Sequence, residues 1–285
     1  MVINMRYYVI TIASIFLALG IGIFIGFNMD SDDLYLSQQQ IIVDALEEKF
    51  SQLNMEKENF TKQIEELMVE NQRNTSFIEK VYTEVTNNRL YGLNIGIIIT
   101  SKDYYYHDIR TTLEASGANV PIEFLFTERI YNIEYEEILE LNSAFNLSLK
   151  DEDDVLEVIN DSIVYLLTFG ISNEKLDYFI RNNFIQIKGN LLTLESSPVD
   201  YVVIAGGGLN PNKRIETLDL DIIRKCLKNY IPVVGVERQD VQYSYLPHYE
   251  GLNISTIDNI NTTMGRISLI FHLENERPFM TSDHE

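Results

Sequence analysis

The chain has 285 residues, with 22 Lys and Arg against 43 Asp and Glu, for a formal net charge of −21. An acidic surface of that size repels phosphate backbones, and no basic stripe offsets it, so nucleic acid is excluded as a partner. Cys226 is the one cysteine, which rules out an internal disulfide and any Cys-x-x-Cys pair for zinc or redox work; between Ile223 and Leu227 it reads as a small buried hydrophobe.

The hydrophobic share of 45% is ordinary for a soluble protein, so a membrane segment must be local. One is present: Tyr7–Phe27 carries no charge. As a helix it spans roughly 31 Å, the thickness of a bilayer's hydrocarbon core. A signal peptide has a shorter apolar region and a small-x-small cleavage site; Phe24–Phe27 offers none, which favours an uncleaved anchor. Arg6 precedes the span and Asp30, Asp32 and Asp33 follow it, so residues 1–6 are expected in the cytoplasm and the rest outside the plasma membrane. Ser14, Ala18, Gly22 and Gly26 recur every four residues and put small side chains on one face, where a second helix can approach; such residues are also common in membrane helices generally.

Residues 28–89 read as a stalk. From Leu36 to Val85 a seven-residue repeat runs unbroken, with Leu46, Phe50, Leu53, Phe60, Ile64 and Leu67 on its seam and no Pro or Gly inside. A lone amphipathic helix has no core in which to bury that stripe, so a partner helix is expected. Gln39, Lys57, Asn71 and Asn74 interrupt the seam and are of the kind that fixes register. The readings are a parallel homodimer, a heteromeric coil, or a helix folded back on its own domain. Extended, the stalk reaches about 75 Å.

Residues 90–275 alternate strands and helices. Leu93–Thr100, Val120–Phe126, Tyr201–Ala205, Pro232–Val236 and Ile254–Ile257 are expected strands. Helices are expected over 107–117, through most of 131–184, over 217–230 and over 262–274. Ile185–Leu194 reads as a short hairpin turning at Gly189–Asn190. Continuous apolar strands separated by helices predict a Rossmann-like, doubly wound parallel sheet with an acidic helical insertion. Residues 276–285 read as a polar tail.

Ligands of such sheets bind beyond the carboxyl ends of the strands. Ser101, Gly206–Gly207–Gly208, Asp258 and Asn259 stand there, with Arg266 a little further on, and these are the candidate ligand-binding residues. The three glycines lack both dinucleotide-binding and P-loop spacing, so a plain turn competes with an anion cradle. The stronger reading of Asp258 and Asn259 is an Asx-type cap opening the last helix, with Arg266 paired to a neighbour. No G-x-S-x-G elbow is present, His107, His248, His272 and His284 form no metal-binding pair, and Met and His do not cluster as a soft copper site requires. No catalytic residue, metal site or cofactor is assigned, and a non-enzymatic role is expected.

Two segments carry a resemblance. Met5–Arg6–Tyr7 with Phe16–Leu17–Ala18–Leu19–Gly20–Ile21–Gly22, and Ser255–Thr262 (STIDNINT) continuing to Gly265–Arg266, are similar to motifs of the bacterial family of mycobacterial copper transport protein B and its relative SteB. The chain departs at Tyr8, where many relatives carry His, and in its acidic insertion. The resemblance implies either copper homeostasis or transport, or an envelope scaffold that pairs with SteA in peptidoglycan remodelling at division. The seam and the small-residue stripe favour the scaffold, associating with itself or with a SteA-like membrane partner; copper rests on resemblance alone.

Overall fold

The computed structural model describes residues 5–189, 198–211 and 213–276. The polar tail beyond Glu276 and the far half of the expected 185–194 hairpin lie outside them. Two compact units make up the chain, Met1–Arg73 and Asn74–Glu285.

Helix α1 runs from Met5 to Thr86. No proline interrupts it, and its last glycine is Gly26. The expected anchor and stalk are therefore continuous, through Asp30, Asp32 and Asp33. Arg6–Phe27 has a mean hydropathy of 2.5 and is long and apolar enough to cross a membrane. Its hydroxyls are satisfied within the helix: Thr11 Oγ1 donates to Tyr7 O at 2.8 Å and Ser14 Oγ to Ile10 O at 2.7 Å. This removes the cost of carrying them into hydrocarbon. Gly22 and Gly26 have nothing within 4 Å of where a Cβ would sit, so that face is open. Further along, Leu46, Phe50, Leu53, Phe60, Ile64 and Leu67 are all exposed.

The second unit is built on one sheet. Strands β1 (Ile95–Ile99), β2 (Ile122–Phe126), β3 (Ile185–Gly189), β4 (Tyr201–Ala205), β5 (Val233–Val236) and β6 (Ser255–Ile257) lie in the order β3-β2-β1-β4-β5-β6. All neighbours are parallel except β2 and β3. Of the expected hairpin at 185–194 only the first arm is described, and it is a strand of this sheet: Ile185 pairs with Phe126 and Gly189 with Ile122, across some sixty residues. A long-range partner wins because Phe184 and Ile185 are drawn into the core beside Phe179 and Phe126, while Gln186 and Lys188 stay outside.

Both faces of the sheet are covered, which explains the unbroken apolar strands. Alternate side chains go opposite ways. Ile95, Ile97, Ile99, Tyr201 and Val203 pack with α2 (Asp108–Ala115) and α8 (Thr263–Asn275). Ile98, Phe124, Val202 and Ile204 pack beneath α3 (Tyr135–Phe145), α4 (Glu152–Phe169), α5 (Glu174–Arg181) and α6 (Asp221–Lys228). The expected helix at 217–230 divides in two, a π-helical turn at Glu216–Leu220 leading into α6. Leu246–Glu250, which contains His248, forms the short helix α7.

Candidate functional site

The carboxyl ends of β1 and β4 meet where the order of the sheet reverses, and their loops are bound to each other. Asp103 Oδ2 accepts from Leu209 N at 2.9 Å. Tyr106 donates its hydroxyl to Gly206 O. Ser101 is buried, and its Oγ accepts from Tyr104 N at 3.3 Å. The glycine run is enclosed by the chain itself. Gly206 N donates to Val236 O, and Gly208 exchanges two hydrogen bonds with Tyr243. A Cβ at Gly206 would stand 2.2 Å from the Tyr249 hydroxyl, and Gly207 has φ +101, so only glycine fits this turn. The amides an anion would need at Gly206, Gly208 and Leu209 are thus engaged internally.

Beneath the turn lies Asp219, from the π-helical segment, fully buried. Its Oδ1 accepts from Thr100 Oγ1 at 2.5 Å and from the Tyr249 hydroxyl. Its Oδ2 has no partner among the described residues. Burial pushes the Asp219 carboxyl up from 3.8 to about 6, against the pull of the two hydroxyls. Burial, reinforced by the Asp219 charge, also raises the Tyr249 hydroxyl well above its ordinary range. Neither Asp219 nor Tyr249 was expected. One signal was available: Asp219 stands three and four residues before Ile222 and Ile223, on the apolar face of α6.

Over the ends of β1 and β2 is a cavity of about 240 Å³, lined by Ser101, Lys102, Tyr104, His107, Glu128 and Lys188 among others. Lys102 Nζ lies 5.1 Å from the centre of the Tyr131 ring, and His107 Nε2 lies 3.1 Å from Asp108 Oδ1.

Asp258 and Asn259 lie in the β6–α8 turn, and Arg266 in the first turn of α8. Thr262 supplies the cap of α8, its Oγ1 accepting from Gly265 N at 3.0 Å. Asn259 contributes its carbonyl, which accepts from Thr262 N at 2.9 Å. A Cβ at Gly265 would stand 2.1 Å from that carbonyl oxygen. The Arg266 guanidinium stands 5.9 Å from the centre of the Tyr82 ring, near the end of α1. Asp258 is exposed. The Glu237–Gln242 loop is bonded both to this turn, through Gln239 N and Asn261 Oδ1, and to Tyr104, through Gln242 N. Ser101 and Gly206–Gly208 are thus brought together, while Asp258, Asn259 and Arg266 form a second cluster beyond that loop.

Sulfur and imidazole are dispersed. Cys226 is buried in the core, and burial pushes its thiol up to about 12, so no thiolate is offered. Met55 and Met68 lie exposed on α1 and Met264 on α8. Among the described residues no group of three or more His, Cys, Asp or Glu is placed to hold a metal ion.

The family model described as copper transport outer membrane protein, MctB, matches residues 2–155. That stretch takes in α1 and continues through β1, α2, β2 and α3 to the first turn of α4; the STIDNINT segment lies beyond it. No curated protein and no solved structure matches the chain. With more than half its length matched, from the membrane segment into the first strands of the sheet, the chain belongs to the MctB family of copper transport outer membrane proteins.

Proposed function

We propose that this chain is a single-pass envelope protein with a part in copper handling, and that copper is its cargo or signal rather than a resident cofactor. The family match carries this reading. The folded unit acts as a partner- or ligand-binding domain of Rossmann-like arrangement, a description supported by its strand order and by helices on both faces. It works without catalysis. Deleting the gene should change copper tolerance and cell-associated copper, and equilibrium dialysis of the purified chain should find no Cu(I) bound tighter than micromolar. Unchanged tolerance removes the copper reading; a tight stoichiometric site removes the claim that copper is not resident.

A second reading is favoured by the exposed seam on α1. In it the chain is a scaffold that pairs through Leu46, Phe50, Leu53, Phe60, Ile64 and Leu67, with a copy of itself or with a SteA-type membrane partner, and the stripe of Ala18, Gly22 and Gly26 continues the contact inside the bilayer. Replacing Leu46, Leu53 and Leu67 together with Asp should abolish association in sedimentation; an unchanged assembly state sinks this reading.

A further inference from the structure

We propose that the helical insertion between β2 and β3 is a docking groove for a basic, amphipathic segment of another protein. The groove lies among α3, α4 and α5 and encloses about 780 Å³. Phe145, Val158 and Tyr165 give it an apolar lining. Tyr165, Phe169 and Ile171 continue that surface outward at 43%, 56% and 54% exposure, with the Tyr165 and Phe169 rings 4.9 Å apart. Aromatic side chains left this open on α4, whose other apolar residues are buried or half-buried, mark a surface made for contact.

The charge around it selects the occupant. Between Glu134 and Arg181 stand twelve Asp or Glu against three Lys or Arg, a net of −9. Asp161 and Glu174 line the groove itself. Lys175 in the lining and Lys225, held 2.5 Å from Asp161, balance those two carboxylates locally, so the excess negative charge is that of the three helices around the groove. A second copy of this chain, at net −21, is repelled, and so is an anionic lipid surface. A helix with one apolar and one Lys- or Arg-rich face satisfies both the lining and the rim. This docking goes beyond copper handling and does not involve the seam on α1.

The test uses the full chain in nanodiscs of zwitterionic lipid, with empty discs as the blank. The probe is a fluorescent Leu/Lys peptide of about four helical turns with segregated faces. It should bind, and weaken as salt is raised. Tyr165→Ser with Phe169→Ser should loosen it by about tenfold, the loss expected for an aromatic anchor, and Asp161→Asn should loosen it less. Glu65→Lys with Glu66→Lys on α1 should leave binding unchanged, although it removes more negative charge. Amide exchange should slow in α4 and α5 when the peptide is added. The proposal is overturned if the α1 variants weaken binding as much, if a scrambled peptide of the same composition binds as tightly, if protection appears only elsewhere, or if nothing binds.

Discussion

Asp219 sits on the apolar face of its helix, with Thr100 and Tyr249 supplying hydrogen bonds to a single oxygen. Its folded pKa is raised, so between pH 4 and 6 the folded protein holds a proton that the unfolded chain has lost. The stability contributed by the protonated form is therefore fully present below about pH 4 and is lost as pH rises through about 6. A rise from 3.8 to about 6 corresponds to about 3 kcal/mol. Denaturant unfolding at pH 4.5 and pH 7 should show that loss in the native chain and a flatter profile in Asp219→Asn; equal slopes exclude Asp219 as its source. Sequence places Asp219 in phase with Ile222 and Ile223, but nothing local announces Thr100 or Tyr249, which come from β1's end and from α7. Ser101 and the glycine run were legible as strand-end residues. Their closure by Tyr106, Tyr243 and Tyr249 was not, because it depends on contacts across the sheet.

Among the elements, those defined by their own periodicity were the most readable. β1, β4 and β5 follow from apolar runs and α8 from its pattern; Thr262, rather than Asp258 or Asn259, supplies the side-chain cap. Thr262→Ala should lower stability by about 1 kcal/mol, the usual cost of an N-cap. Gly265→Ala should cost more, since its new methyl meets the Asn259 carbonyl. Melting temperatures of the two variants settle the order, and a harmless Gly265→Ala contradicts the close approach. The partner of β3 was not legible because pairing register is a tertiary choice: the apolar side chains at Phe184 and Ile185 find their complement on β2, some sixty residues away. The π-helical turn at Glu216–Leu220 was invisible for a similar reason, since Asn160 of α4 donates to Thr217 O at 3.0 Å and to Asp221 Oδ2 at 2.8 Å from across the core.

At the level of the whole molecule, composition decided what the chain avoids, and hydropathy picked out the helix long and apolar enough to cross a membrane. Arg6 is the only charged side chain before the end of the apolar segment, and every acidic residue follows it, so the part beyond carries a net of −22. That asymmetry predicts a cytoplasmic amino terminus. Protease added outside intact, wall-stripped cells should digest residues beyond the span; complete protection reverses the orientation. The acidic insertion could be seen in the sequence as a charged helical stretch, but its groove could not, because α3, α4 and α5 meet there only after β3 has returned to β2. The two margins of the sheet have their own consequence. β6 has only three residues, and β3 turns Gln186 and Lys188 outward, with Glu123 holding Lys188 at 3.1 Å. Short or lysine-bearing borders resist zippering onto a neighbour's backbone. Many such domains can therefore crowd a membrane surface without fusing into fibres.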